Sequence, residues 1–341
     1  MSSAAAPPAG AIGVVIPTRD RHARLDRLLG ALRQDDVVTE IVVVDDGSTD
    51  TTPDVVATHA AADSRVIGVR RSGGEGAAAA RLEGAQVATA EVILFLDDDV
   101  LPAAGLIANH LRHHTAAGRA DSSRLVVVGY MPTTVPPQWS ADTFVTALYA
   151  QEYEGRCRHY EEDPSKILRN LWMGNVSLTR ELFLDVTERW PEPLPNGRHE
   201  DQHIGLRLLE SGAAAVFDRA LLATHEHQRT LAKFRRESWF AGVGHWSIER
   251  SHSDALTAGG ARRYRADLPP AARAVVALTR SRMAYRAVGS ALAAVTWGAG
   301  RTRRFGVQTT FARLLRRVDQ QQGYLTARRR TGRGEANLVG H

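Results

Sequence analysis

Three carboxylates stand in a row at Asp97, Asp98 and Asp99, directly after the apolar run Val92–Leu96 and just before Pro102. Adjacent anions repel one another unless a counter-charge sits among them. A divalent cation supplies one, because hard metals take carboxylate oxygens and share them with substrate phosphates. The plain alternative is a solvated turn with an aspartate capping the next helix. A second acidic pair, Asp45-Asp46, ends the run Ile41–Val44 and leads into Gly47-Ser48. A carboxylate there accepts from a nucleobase N–H or a ribose hydroxyl, or merely closes an Asp-Gly turn. A third pair, Glu200-Asp201, opens a helix behind a Pro/Gly/Asn-rich loop. An acid so placed takes a proton from an acceptor hydroxyl, or simply serves the helix dipole. The helix N-terminus lowers its pKa, which makes it a weak base. His225 and His227 alternate at a strand end, so only one of them faces a site, and a neutral imidazole beside Asp99 would complete a metal shell. The turn Gly73-Gly74-Glu75-Gly76 is either punctuation or a phosphate cradle, and Arg81, one turn into the next helix, reaches an anionic ligand or lies on the surface.

Strands and helices must position these groups. Gly13–Pro17, Glu40–Val44, Arg65–Val69 and Val92–Leu96 read as strands, separated by helical patterns. The first helix carries Leu25, Leu28, Leu29 and Leu32 behind an Asp20 cap. The second has Thr51 and Asp54 at capping-box spacing, and the third is Ala77–Ala88. Alternation of this kind predicts a mostly parallel sheet flanked by helices, with ligands at the strands' C-terminal ends. Further on, a helix is expected from about Ala103 to His114, and a strand at Arg124–Tyr130. Leu171–Leu178 reads as a strand kinked at Gly174, and Ala213–Phe217 and Ala220–Thr224 as two more. The stretch Gln138–Asn170 resists assignment. From Leu231 the pattern is helical, is broken at Leu268-Pro269-Pro270, and resumes at Ala271–Val288 and Val307–Val318; the polar run Asp319–Gly323 closes the last helix.

The chain has 341 residues and a net charge of +5. From Leu256 onward there are 17 Arg, no Lys and 3 acids, a balance of +14, which leaves −9 on residues 1–255. The acidic front fits a metal or polar-substrate site. The basic end fits an anionic membrane or a partner protein, and its few aromatics speak against nucleic acid. Cys157 is the single cysteine, which rules out an internal disulfide or a Cys-rich zinc site. The longest apolar candidate for a span, Ala287–Gly300, is too short. Residues 1–11 lack a basic leader region, and both they and 328–341 are expected to be disordered.

Taken together, Val14–Arg19, Ile41–Asp50, Ala80-Arg81-x-x-Gly84, Phe95–Asp99, Gly174-Asn175 and His199-Glu200-Asp201 resemble the inverting glycosyltransferase family 2, with its GT-A fold, across about Gly13–His227. The resemblance implies transfer of one sugar from a nucleotide-diphosphate sugar to an acceptor hydroxyl, with Mn²⁺ or Mg²⁺ holding the diphosphate. Pro17, Thr18, Arg19, Asp45 or Asp46, Arg81, Asp97 and Asp98 would bind the nucleotide end of the donor. Asp99, with Asp97 and His225, would take the metal. Asp201 or Glu200 would be the base, and Trp172, Gly174 and Asn175 would meet the acceptor. The expected layout is a catalytic domain over 12–230, with a nucleotide half at 12–130 and an acceptor half at 131–230, then a basic helical region over 231–327. Such a protein is expected in the cytoplasm, touching the inner face of the membrane through its basic end. The processive signature Gln-x-x-Arg-Trp is missing, which predicts single transfer. Ser72-Gly73 and Leu82 stand where the family often has Asn. A nucleotidyltransferase is the main alternative, but it needs a glycine-rich basic loop after the first strand, where this chain has Pro17-Thr18-Arg19-Asp20. The other is a binding protein that has lost catalysis.

Overall fold

The computed structural model describes residues 11–116, 122–136, 140, 143–190, 199–252 and 268–331. The chain divides into two compact units. The first comprises residues 1–134, 154–194 and 201–226, and the second comprises the remainder.

The first unit is built on an eight-stranded sheet. Its strands are β1 (Ile12–Thr18), β2 (Val38–Asp45), β3 (Val66–Arg70), β4 (Val92–Leu96), β5 (Val100–Pro102), β6 (Leu125–Tyr130), β7 (Asn175–Thr179) and β8 (Ala214–His225), in the order β3-β2-β1-β4-β7-β6-β8-β5. Between them in the chain lie α1 (His22–Leu32), α2 (Thr52–Ala62), α3 (Ala77–Val87), α4 (Leu106–Ala116), α5 (Phe144–Glu162), whose first half belongs to the second unit, α6 (Arg180–Thr187) and α7 (Glu200–Glu210). β1 pairs in parallel with β2 and β4, and β2 with β3, as the alternating pattern predicts. The other half is mixed. β7 runs antiparallel to both β4 and β6, while β6 and β8 are parallel. The C-terminal ends of β1, β2, β4 and β8 and the N-terminal end of β7 therefore meet at one edge. β1, β2 and β4 are apolar without alternation because both faces are covered. Phe95 packs on Phe183 at 4.5 Å in a core that also holds Val15, Val42 and Ile93. Pro102 fits because β5 lies at the end of the sheet, where a strand can lack a donor.

Several boundaries differ from those read in the sequence. β8 is one strand across Ala214–His225, and α4 starts three residues later than expected. β7 begins only at Asn175, so Trp172, Met173 and Gly174 precede it. Arg21, not Asp20, sits at the α1 N-cap; Asp20 adopts φ +52° and accepts from the Thr49 and Asp50 amides instead. The Thr51 side chain makes no cap bond to α2; Asp50 accepts from the Thr52 amide. The unassigned stretch contains α5, which buries Phe144, Val145 and Leu148 early and Cys157 and Tyr160 late. Residues 138, 139, 141 and 142 of that stretch, the Pro/Gly/Asn-rich segment 191–198 and the terminal segments 1–10 and 332–341 lie outside the described residues.

The second unit is helical, with α8 (Leu231–Ser251), α9 (Pro270–Leu278), α10 (Arg282–Arg301) and α11 (Phe305–Thr331). The expected helix at Ala271–Val288 is two helices, because Ser281 caps α10 by accepting from the Ala284 amide. The polar run Asp319–Gly323 does not end α11 but lies buried inside it, four residues of the expected disordered end being helical as well. The reason is a close crossing: a Cβ on Gly323 would overlap the Trp239 carbonyl, and one on Gly242 the Gln320 carbonyl. Asp319 is fully buried and receives Arg235 Nε and Nη2, each at 3.1 Å, and the Tyr285 hydroxyl at 2.9 Å, which ties α8, α10 and α11 together. Burial pushes its carboxyl up while Arg235 opposes the shift. Among the described residues no helix is long and apolar enough to cross a membrane.

Candidate active site

The shared sheet edge gathers the acidic pairs. β1 and β2 end in register, Thr18 beside Asp45. Asp45 and Asp46 then take opposite roles. Asp46 accepts from the Gly76 amide at 2.9 Å and the Glu75 amide at 3.4 Å, with Arg71 Nε at 3.4 Å. The glycine-rich turn thus spends these N–H groups on Asp46. Asp45 accepts from the Ser48 amide through Oδ1 at 2.8 Å, while its Oδ2 is buried without a hydrogen bond, 3.5 Å from Arg70. A buried acceptor left open costs free energy unless a ligand satisfies it.

The three consecutive aspartates relieve their repulsion by fanning apart. Asp97 bonds Arg81 Nη2 at 2.8 Å and keeps 37 % of its side chain exposed. Asp98 turns inward and accepts from the Thr18 hydroxyl at 2.8 Å; burial pushes its carboxyl up to about 7, against the pull of Arg21. Asp99 Oδ2 faces Arg24 at 3.4 Å and Arg21 at 3.7 Å, and its Oδ1 faces His225 Nε2 at 3.3 Å. The neutralising charge in this structure is therefore arginine. Neither Arg21 nor Arg24 was singled out from the sequence, although their three-residue spacing puts them on one face of α1.

His225 ends β8 opposite Val100, next to the residue it must reach. Its Nδ1 lies 3.3 Å from the Thr133 hydroxyl. A proton on Nδ1, directed at Thr133, leaves the Nε2 lone pair for a ligand. Asp99 and His225 together fit a divalent cation: both are buried, and each turns one ligand atom toward the other. His227 lies beyond the strand, so alternation along β8 does not orient it; it packs on Tyr149 at 5.5 Å and takes a hydrogen bond from Arg229.

Asp201, the second residue of α7, accepts from Arg81 Nη1 at 2.8 Å and from the Met173 amide at 3.1 Å. Arg81 is itself buried and joins Asp201 to Asp97. Burial pushes the Asp201 carboxyl above the ordinary aspartate value, with Arg81 opposing. This reverses the expected helix-terminus effect, because lost hydration here outweighs the dipole. Glu200 is the first residue of α7 and is half-buried. Of the remaining predicted positions, Pro17 and Thr18 are buried at the end of β1, and Arg19 is exposed. Trp172 lies under the Arg156 guanidinium at 4.6 Å. Gly174 abuts Asp97: a Cβ there would stand 2.8 Å from Oδ2. Asn175 is fully buried, with its side chain committed to His110 at 3.0 Å and the Leu221 carbonyl at 3.1 Å.

Residues 13–167 match the profile of Glycosyl transferase family 2. This segment is thus similar to family 2 glycosyltransferases. The chain is 36 % identical over 130 residues to validoxylamine A glucosyltransferase of Streptomyces hygroscopicus subsp. limoneus, covering 37 % of this chain and 29 % of the relative. It is 27 % identical over 254 residues to the pre-mycofactocin glycosyltransferase of Mycobacterium tuberculosis, covering 73 % of this chain and 50 % of the relative. The chain thus spans half or less of the length of these curated relatives. Among solved structures it resembles the mannosyltransferase PcManGT from Pyrobaculum calidifontis, which was solved with GDP-Man and Mn²⁺, at a TM-score of 0.55 and 19 % identity, covering 91 % of this chain and 86 % of that one. The fold is GT-A.

Proposed function

We propose that the chain transfers one sugar from a nucleotide-diphosphate sugar to an acceptor hydroxyl, with inversion at the anomeric carbon. The observation that carries this reading is Arg81, which links Asp97 of the Asp-rich strand end to Asp201 of α7 in one buried bridge. Donor side and base side thereby share a fixed geometry. Asp45, with its open Oδ2, accepts from the nucleobase; Thr18 stands opposite it in the sheet, with Pro17 and Arg19 to either side in the chain. Asp99 and His225 would hold Mn²⁺ or Mg²⁺, which when bound stabilises the departing diphosphate; Asp97, held by Arg81, would join them by turning toward the ion. Asp201 takes the proton of the acceptor hydroxyl as the new bond forms. Its raised pKa makes it a better base than an exposed aspartate, and two fixed donors hold its orientation. The oxygen of the acceptor attacks the anomeric carbon from the face opposite the leaving diphosphate, which inverts the configuration. Alignment of the two substrates supplies much of the acceleration.

Mixing the protein with UDP-, GDP- and dTDP-sugars and Mn²⁺ tests the reading, with release of nucleoside diphosphate as the supporting result. Pyrophosphate exchange would instead indicate nucleotidyl transfer. Asp99→Ala should lose metal-dependent nucleotide binding in calorimetry. Asp201→Asn should bind the nucleotide as before yet not turn over. Full transfer by either variant would refute the role assigned to that residue.

A further inference from the structure

The second unit carries a surface that the transfer chemistry does not use. The described residues 268–331 contain thirteen arginines and one acid, Asp319, and that acid is fully buried against Arg235. The outer surface of α9–α11 therefore presents net positive charge, although Arg313 and Arg316 meet a carboxylate there, Glu152 of α5. On the same helices stand Leu278, Met283 and Trp297, which are 68 %, 83 % and 51 % exposed. Apolar groups this exposed mark an interaction surface when they cluster.

Helix geometry clusters them. Met283 and Trp297 are 14 residues apart on α10, close to four full turns and about 21 Å along the axis, so they share a face. Of the exposed positions between them on that face, Ala287, Ser290, Ala291 and Ala294 carry no charge, and Arg286, one turn from Met283, is the one cation. Arg282 precedes this face at one end, with Arg286 one turn inside it, and Arg301 follows at the other. The opposite face supplies Leu292 to the core formed with Val276, Leu315 and Val318. α10 is thus amphipathic, anchored on one side and apolar with basic ends on the other.

We infer that this face docks on an anionic lipid surface, with α10 lying along the headgroups. Trp297 and Met283 enter the boundary between headgroup and acyl chain, and the arginines meet lipid phosphates. Charge decides against a second copy of the chain: pairing α10 with itself, in either direction, brings arginine ends together. The helix lies on the bilayer and does not cross it.

Sedimentation of the full chain with lipid vesicles tests the inference. Binding is expected to vesicles of phosphatidylcholine mixed with phosphatidylglycerol, to be far weaker with phosphatidylcholine alone, and to fall as salt is raised. Each surface arginine contributes about five-fold to partitioning, so Arg282→Glu/Arg286→Glu should weaken it about 20-fold or more. Met283→Ser/Trp297→Ser should weaken it too, and brominated lipid should quench the parent's fluorescence more than that of Trp297→Phe. These side chains are exposed, so all three variants should keep the parent's melting temperature. No binding to the mixed vesicles, binding indifferent to salt, or unchanged binding by both double variants would overturn the inference. So would retention of duplex RNA by a chain that ignores the vesicles.

Discussion

Replacing Arg81 with methionine should expose how this site balances its charges. The guanidinium is buried and serves two carboxylates, Asp97 and Asp201, each at 2.8 Å. At an effective dielectric near 20, a pair of unit charges about 4 Å apart attracts by ~4 kcal/mol. Removing one partner of a buried pair costs roughly 3–5 kcal/mol, because the other charge is left stranded. Asp97 and Asp201 retain 37 % and 27 % exposure, so water returns part of that loss. A net destabilisation of about 3 kcal/mol is expected for Arg81→Met, read as a shift in the urea transition of the first unit. Adding Asp201→Asn removes one stranded charge and should recover ~1–2 kcal/mol. The sign of the pH dependence is a second check. Without Arg81 the Asp201 carboxyl sits further above its unfolded value, so the folded protein binds more protons and the deficit shrinks as pH falls from about 8 to about 5. A loss under about 1 kcal/mol that neither Asp201→Asn nor acid relieves would refute the bridge as the element that holds these acids together.

Two further outcomes follow from packing and burial. Gly174→Ala would place a methyl 2.8 Å from Asp97 Oδ2 and 3.0 Å from Met131 Sδ, and should weaken Mn²⁺-dependent nucleotide binding about ten-fold in calorimetry by displacing Asp97. His110 and His114 are buried on the Ser177 hydroxyl, and burial pushes them down to about 3 and about 4. A histidine lowered on folding leaves the unfolded chain holding more protons, so this contribution is full above the unfolded pKa of about 6.5 and drains as pH falls toward the folded values. One unit below 6.5 the pair should cost about 3 kcal/mol, and denaturant midpoints that stay flat from about pH 7 to about pH 5 would contradict that burial.

The first four strands were legible because each is a short apolar run ending in a turn signal, and parallel pairing follows from the helices between them. The antiparallel placement of β7 was not, since nothing local in Asn175–Thr179 encodes its direction. α5 was missed because its middle, residues 150–156, is polar and aromatic, with Tyr153 its one buried side chain. Within the site, the acids were found from their positions at strand ends. Their partners were not: Arg21, Arg24 and Thr133 are recognisable only once the sheet brings α1 and the segment after β6 to Asp99 and His225. Asn175 shows the reverse, a polar residue beside the site whose side chain is spent inside the fold. The buried glutamines of α11 misled for a related reason, because a polar run signals a helix end only when water is there to solvate it.

The loops after β2 and β3 touch through Gly47 and Gly73, at φ +74° and +106°, where neither backbone leaves room for a Cβ on the other. Asp46, one residue before Gly47, is meanwhile gripped by the amides of Glu75 and Gly76. The two loops therefore behave as one part. A graft that exchanged either of them alone with a relative's would set a side chain against bare backbone and unseat Asp46 at once. Swapping both together would keep that contact and Asp46 in place and leave the strand ends beneath intact.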